Sequence, residues 1–139
     1  MIIVFVDAGP LYALFSLRDQ YHQQTQQILG KLETVQPRLI TSDDVINEAI
    51  TSLHSSRKGG YSAAVSMIVW LSKIPARIEI EWIGQARFQK AIEVFRRYNK
   101  DKQWSFTDCT SYVIIKELKI DKVFTFDRHF RQMGFSILS

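Results

Sequence analysis

The run Ile2-Ile3-Val4-Phe5-Val6 leaves this chain few options. Five consecutive apolar residues, four of them β-branched, describe a strand buried on both faces, as inside a parallel sheet. Asp7 follows at once, then Ala8-Gly9-Pro10 and the helix-like stretch Leu11-Tyr12-Ala13-Leu14-Phe15. Strand, acid, turn, helix is how an open α/β sheet begins, and such sheets bind ligands beyond the carboxyl ends of their strands. Asp7 stands at that position. On this stretch alone, a helix N-cap explains it equally well.

The rest of the chain repeats the alternation. A second helix starts near Asp19-Gln20-Tyr21-His22, with Tyr21, Ile28, Leu29 and Leu32 as its apolar positions and Gly30 as a local weakness. Arg38-Leu39-Ile40-Thr41 follows Gln36-Pro37 as a short strand. Ser42 or Asp43 then caps a helix running to Leu53 with Val45, Ile46, Ala49 and Ile50 inward. Arg57-Lys58-Gly59-Gly60 reads as a turn, Ala63 to Leu71 as an apolar helix that Pro75 terminates, and Ile78 to Trp82 as a strand. Gln85 to Tyr98 is amphipathic, with Phe88, Ala91, Ile92 and Phe95 expected to face inward. A helix from Phe106 to Leu118, a strand from Lys122 to Phe126, a short helix from Arg128 to Gln132 and a strand from Phe135 to Leu138 complete the chain. Strands separated by helices imply parallel pairing through right-handed crossovers. The expected architecture is a three-layer α/β/α fold around a mainly parallel sheet of four to five strands.

With 139 residues, no repeat and no low-complexity linker, one domain spanning 1–139 is expected. The formal charge of +4 permits a polyanionic partner without requiring one. A single cysteine, Cys109, cannot form an internal disulfide and suits a reducing compartment, and no Cys/His set has zinc spacing. The N-terminal apolar run is too short for a membrane span or signal peptide. The expectation is a soluble, cytoplasmic protein without membrane association.

Four carboxylates then stand out: Asp7, Glu48, Asp108 and Asp127. Asp7 and Asp127 each follow an apolar strand, and the carboxyl ends of parallel strands share one edge. Asp108 opens a helix, and its four- and three-residue steps to Tyr112 and Ile115 place it on an inward face. Glu48 flanks the inward stripe of its own helix. Each acid alone has an ordinary alternative as a cap or a solvated side chain. Together they would repel and raise one another's pKa values unless a cation neutralised them. Oxygen ligands favour a hard divalent ion, Mg²⁺ or Mn²⁺, which can polarise a phosphodiester and generate a hydroxide nucleophile. The hydroxyls of Ser105 and Thr125 are candidate accessories for orienting water or phosphate; Thr107 reads as capping.

At these separations the chain resembles the PIN domain, the metal-dependent ribonuclease fold found in VapC-type toxins. The matching segments are Ile3-Val4-Phe5-Val6-Asp7-Ala8-Gly9-Pro10-Leu11, Thr41-Ser42-Asp43-Asp44-Val45-Ile46-Asn47-Glu48, Asp101-Lys102-Gln103-Trp104-Ser105-Phe106-Thr107-Asp108-Cys109 and Phe124-Thr125-Phe126-Asp127-Arg128-His129-Phe130. The resemblance covers nearly the whole chain. It implies that Asp7, Glu48, Asp108 and Asp127 are catalytic and line the metal site, with a sheet ordered 3-2-1-4-5. It implies cleavage of single-stranded RNA, a homodimer, and a small antitoxin partner crossing the active-site groove. The sequence departs from many relatives in placing Ala8, not Thr or Ser, after the first acid.

An RNA groove needs cations near its acids. Arg57, Lys58, Lys100, Lys102 and Arg128 are the candidates for phosphate contact, against a solvated-surface reading for each. Asp101 reads as a solvated loop acid, and Trp104 as packing beneath its loop rather than stacking on a base. His22, His54 and His129 share no spacing and receive no role; Cys109 points into the core. A receiver-like signalling module would need a Lys where Asp127 stands, and a dehalogenase-type phosphatase a second acid where Gly9 stands. A housekeeping nuclease and a non-cleaving scaffold of the same fold stay open beside the toxin.

Overall fold

A computed structural model describes residues 1–56, 58–73 and 77–138. In chain order the elements are β1 (Ile3–Val6), α1 (Ala8–Phe15), α2 (His22–Val35), β2 (Arg38–Ser42), α3 (Asp43–His54) and α4 (Gly60–Leu71). Then come β3 (Glu79–Glu81), α5 (Gly84–Tyr98), α6 (Phe106–Glu117), β4 (Lys122–Phe124), α7 (His129–Gln132) and β5 (Ile137–Leu138). The five strands form one parallel sheet ordered β3-β2-β1-β4-β5. The expected α/β class and strand order are therefore present.

The order explains where a site forms. From β1 the chain winds outward to β2 and β3, then returns to the other side of β1 for β4 and β5. The direction of winding reverses between β1 and β4, and the connections after those strands part there, opening a crevice at their carboxyl ends. Val4 and Phe5 on β1, Ile40 on β2 and Val123 and Phe124 on β4 are at most 1% exposed. Helices α1 to α4 pack on one another, as do α5 to α7, and the groups meet where α3 contacts α6.

Several boundaries moved for identifiable reasons. β4 stops at Phe124, not Phe126, because Phe124 pairs with the last residues of both neighbours, Val6 and Leu138. β5 is correspondingly short. Ser42, not Asp43, caps α3 by accepting from the Val45 N–H at 3.1 Å; Asp43 instead accepts from the Ile83 N–H at 2.9 Å. Phe88 and Phe95 do not face the core: they are 46% and 43% exposed, and Ala91 is the buried residue of that stripe. Phe106 fills the space between α5 and α6, and both rings pack against it from the rim. Trp104 is buried, and its Nε1 donates to Gln132 Oε1 at 3.0 Å, which agrees with the packing reading. Cys109 is buried too, and desolvation followed by the charge of Asp108 pushes its thiol up to about 11. The expected helix stop at Pro75 lies outside the described residues.

The α3–α4 corner leaves no room for a side chain at Gly60. A Cβ there would lie 2.5 Å from the Leu53 carbonyl oxygen and 2.8 Å from that of His54. Backbone cannot yield as a flexible side chain can, so Gly60→Ala is expected to cost about 1–3 kcal/mol in chemical denaturation, despite the better helix propensity of alanine.

Candidate active site

Asp7 occupies the N-cap position of α1, but its side chain makes no capping bond to that helix. The third helical residue is Pro10, which has no N–H to offer. The carboxylate instead accepts from Thr125 Oγ1 at 2.8 Å, just beyond the end of β4. The same Thr125 oxygen accepts from the Asp127 N–H at 2.9 Å. One hydroxyl thus ties the acid after β1 to the segment bearing the acid after β4.

Asp108 belongs to a reciprocal cap. Its Oδ2 accepts from the Ser105 N–H at 2.9 Å while Ser105 Oγ accepts from the Asp108 N–H at 3.0 Å. Asn99 brackets Trp104 from both sides of its backbone, holding the loop that delivers this cap. His129 Nδ1 lies 2.8 Å from Asp108 Oδ2 and 3.3 Å from Asp127 Oδ2. Both partners of Asp108 use Oδ2, leaving Oδ1 without a protein donor among the described residues.

These groups line one cleft of about 830 Å³, together with Ala8, Gly9, Tyr12, Asp19, Tyr21, Glu48, Ser105, Phe126 and Arg128. All four expected acids reach it. Asp108, Asp127 and His129 form the tightest group, with one donor atom from each within 4.8 Å of the others. Asp7 and Glu48 lie outside that trio, Asp7 because Thr125 holds it at the strand end. Thr125, expected to orient water or phosphate, instead donates its hydroxyl to the Asp7 carboxylate. Ser105 serves as cap and as cleft wall. His129 is the residue that sequence reasoning missed: it lies two positions after Asp127, and only folding α6 against α7 makes that spacing meaningful.

The electrostatics reflect crowding. Burial pushes the Asp7 carboxyl from 3.8 to about 7, opposed by the Thr125 hydrogen bond and reinforced by the charges of Asp108 and Glu48. Glu48 is raised too, first by desolvation, then by Asp108, Asp127 and Asp44. Among the described cation candidates only Arg128 lines the cleft. Lys58 lines an adjoining groove that shares Tyr12 and Asp19 with it. Lys102 pairs with Asp101 at 3.0 Å, which is the solvated loop acid expected. Lys100 is exposed, and Arg57 lies outside the described residues. Thr125→Val should weaken Mn²⁺ binding in this cleft by about 10–100-fold, the usual cost of losing a group that orients a ligand, with folding retained by circular dichroism.

No helix among the described residues is long and apolar enough to cross a membrane. Two comparisons with curated proteins are informative. The 23S rRNA-specific endonuclease VapC20 of Mycobacterium tuberculosis is 26% identical over 133 residues, covering 96% of this chain and 95% of that protein. A VapC ribonuclease of Archaeoglobus fulgidus is also 26% identical over 133 residues, covering 90% of this chain and 77% of its own. The crystal structure of VapC20, described as a sarcin-ricin loop cleaving toxin, superposes with a TM-score of 0.81 across 95% of both chains. VapBC2 of Rickettsia felis, solved on a promoter DNA fragment, matches at 0.68 and 13% identity, a likeness of fold alone. The family model described as the PIN domain matches residues 4–136. The chain belongs to the PIN domain family.

Proposed function

We propose that this protein is a divalent-metal-dependent endoribonuclease of the VapC kind, the toxin of a toxin–antitoxin pair. The observation that carries the reading is the convergence of Asp7, Glu48, Asp108 and Asp127 on one cleft, in a chain 26% identical along 96% of its length to a named rRNA endonuclease. The donor set fits the implied ion. Carboxylate oxygens dominate, Asp7 is held near neutrality by burial, and Asp108 Oδ1 has no protein donor among the described residues.

Asp7, Asp108, Asp127 and Glu48 would hold the ion. Mg²⁺ or Mn²⁺ bound there would neutralise the acids, polarise the scissile phosphodiester and make a hydroxide available near neutral pH. Thr125 holds Asp7 in place. The Ser105 cap and His129 fix Asp108 so that one oxygen turns away from both. Arg128 at the wall supplies a positive charge for a phosphate oxygen. The partners are single-stranded RNA as substrate and a small antitoxin protein as inhibitor. The first RNA to test is the sarcin-ricin hairpin of the large ribosomal RNA, because the VapC20 relative is described as cleaving it.

Purified protein with Mn²⁺ should cleave that hairpin or another structured RNA at a discrete position. EDTA should abolish cleavage and added Mg²⁺ or Mn²⁺ restore it. Induction in a bacterial host should arrest growth, and co-expression of a cognate antitoxin should relieve the arrest. Cleavage indifferent to EDTA would reject the metal site. Cleavage without growth arrest would leave a housekeeping nuclease in place of the toxin.

A further inference from the structure

Acids line the cleft, and so do the aromatic residues Tyr12, Tyr21 and Phe126. Tyr21 lies flat on Phe126, with ring centroids 4.2 Å apart and planes 8° from parallel. Phe126 in turn meets the fully buried Phe124 edge-on at 5.7 Å. A ladder of three aromatic rings therefore climbs from the core to the cleft and ends at Tyr21.

The chain fixes that last ring locally. Asp19 Oδ2 accepts from the Tyr21 N–H at 2.9 Å, and the Asp19 carbonyl accepts from the His22 N–H at 3.1 Å. His22 is anchored by its Nδ1, 2.7 Å from the Ala13 carbonyl oxygen. Tyr21 is thus the half-buried residue immediately before α2, within the Asp19–His22 stretch expected to begin that helix. Burying a hydrophobic ring does not require such parallel stacking beside a phosphodiester-cleaving site. A nucleobase does: every base has a π-face, and a rigid aromatic platform holds it at little entropic cost.

We propose that Tyr21, backed by Phe126, is a base-stacking platform that seats a nucleobase beside the scissile phosphate. This rests on the ribonuclease reading above and adds to it a substrate-binding residue outside the acid set. RNA recognition favours such a mode, because single-stranded bases can splay out onto aromatic side chains. Tyr21 also carries a hydroxyl, but stacking needs only the ring, so Tyr21→Phe should behave as wild type.

The test uses a short mixed-sequence single-stranded oligoribonucleotide carrying 2-aminopurine, whose fluorescence is quenched on stacking. In the Asp7→Asn background, which prevents cleavage, binding should quench the probe. Adding Tyr21→Phe should preserve the quench. Adding Tyr21→Leu should remove it and weaken binding on the order of five- to 150-fold, the range for losing one base–aromatic stack. In the cleaving protein, Tyr21→Leu should raise KM by a similar factor with kcat little changed, and Phe should rescue it. Thermal melting separates this from unfolding, since for a merely structural Tyr21 the Leu variant would melt at a lower Tm yet keep the quench while folded. Equal quench and affinity in the Leu variant would overturn the platform while the nuclease stands. So would unchanged RNA binding with loss of inhibition by the cognate antitoxin, which would make the ladder a protein-docking feature. Failure of the wild type to bind or cleave any RNA would overturn the ribonuclease reading itself, and this proposal with it.

Discussion

Asp7→Asn yields a protein that, without metal and above neutral pH, is more stable than the wild type yet almost inert as a nuclease. Burial raises the folded-state pKa of Asp7 from 3.8 to about 7. Between those values the folded chain holds a proton that the unfolded chain has released, so wild-type stability falls as pH rises through this window. Below it both states are protonated and the penalty vanishes. Above it both are ionised and the penalty is full, at most about 4 kcal/mol from this residue. Asparagine cannot ionise, so the variant's stability should decline less steeply than the wild type's, the slope that stays coming from Glu48, whose carboxyl is raised as well. Urea titrations of the metal-free proteins from pH 4 to pH 8 measure the difference. Mg²⁺ should then recover wild-type stability, by about 2.7 kcal/mol at a hundredfold excess over Kd, and leave the variant unchanged. Cleavage should fall by more than about 100-fold, since even residues that merely orient a metal ligand typically cost 10–100-fold. A wild type whose metal-free stability does not decline over that range would mean Asp7 is not desolvated as described.

Asp108 separates charge from scaffold. Asp108→Asn retains a side-chain oxygen to accept from the Ser105 N–H, so the cap on α6 survives and stability should change by less than about 1 kcal/mol. The negative charge and the oxygen free of protein donors are what the variant loses. Cleavage should again drop more than about 100-fold. Asp108→Ala should be equally inactive and also less stable, by about 0.5–1.5 kcal/mol, because the Ser105 N–H loses its acceptor while the Ser105 hydroxyl still caps the helix. Parallel chemical denaturation and RNA cleavage distinguish the two. An active Asp108→Asn protein would show that the residue serves only to start a helix.

Much of this arrangement was legible from residue order. The unbroken apolar strand before Asp7 dictated a buried parallel strand, and the strand–helix alternation placed Asp7 and the segment bearing Asp127 at one sheet edge. The acids were readable because each sits at an element boundary, where chain direction and position are coupled. His129 was not, because its role arises from α7 packing against α6. The start of α2 within Asp19–His22 was legible, but the Asp19 turn that holds the Tyr21 N–H was not. Phe88 and Phe95 had the right periodicity, but Phe106 from the next helix occupied the space they would have filled. In each case the missing information was a contact between residues distant in the chain, or a turn whose hydrogen bonds periodicity does not show.

Whether the acids form one cation-requiring pocket can be asked directly by titrating Mn²⁺ into the protein at neutral pH and following the paramagnetic resonance of the free ion. Wild type should deplete the free signal saturably and release protons as it does so, because Asp7 must ionise to bind, while Asp108→Asn, folded and equally concentrated, should leave it near the buffer level. Equal depletion by both proteins, or none by the wild type, would show that these carboxylates share a cleft without sharing an ion.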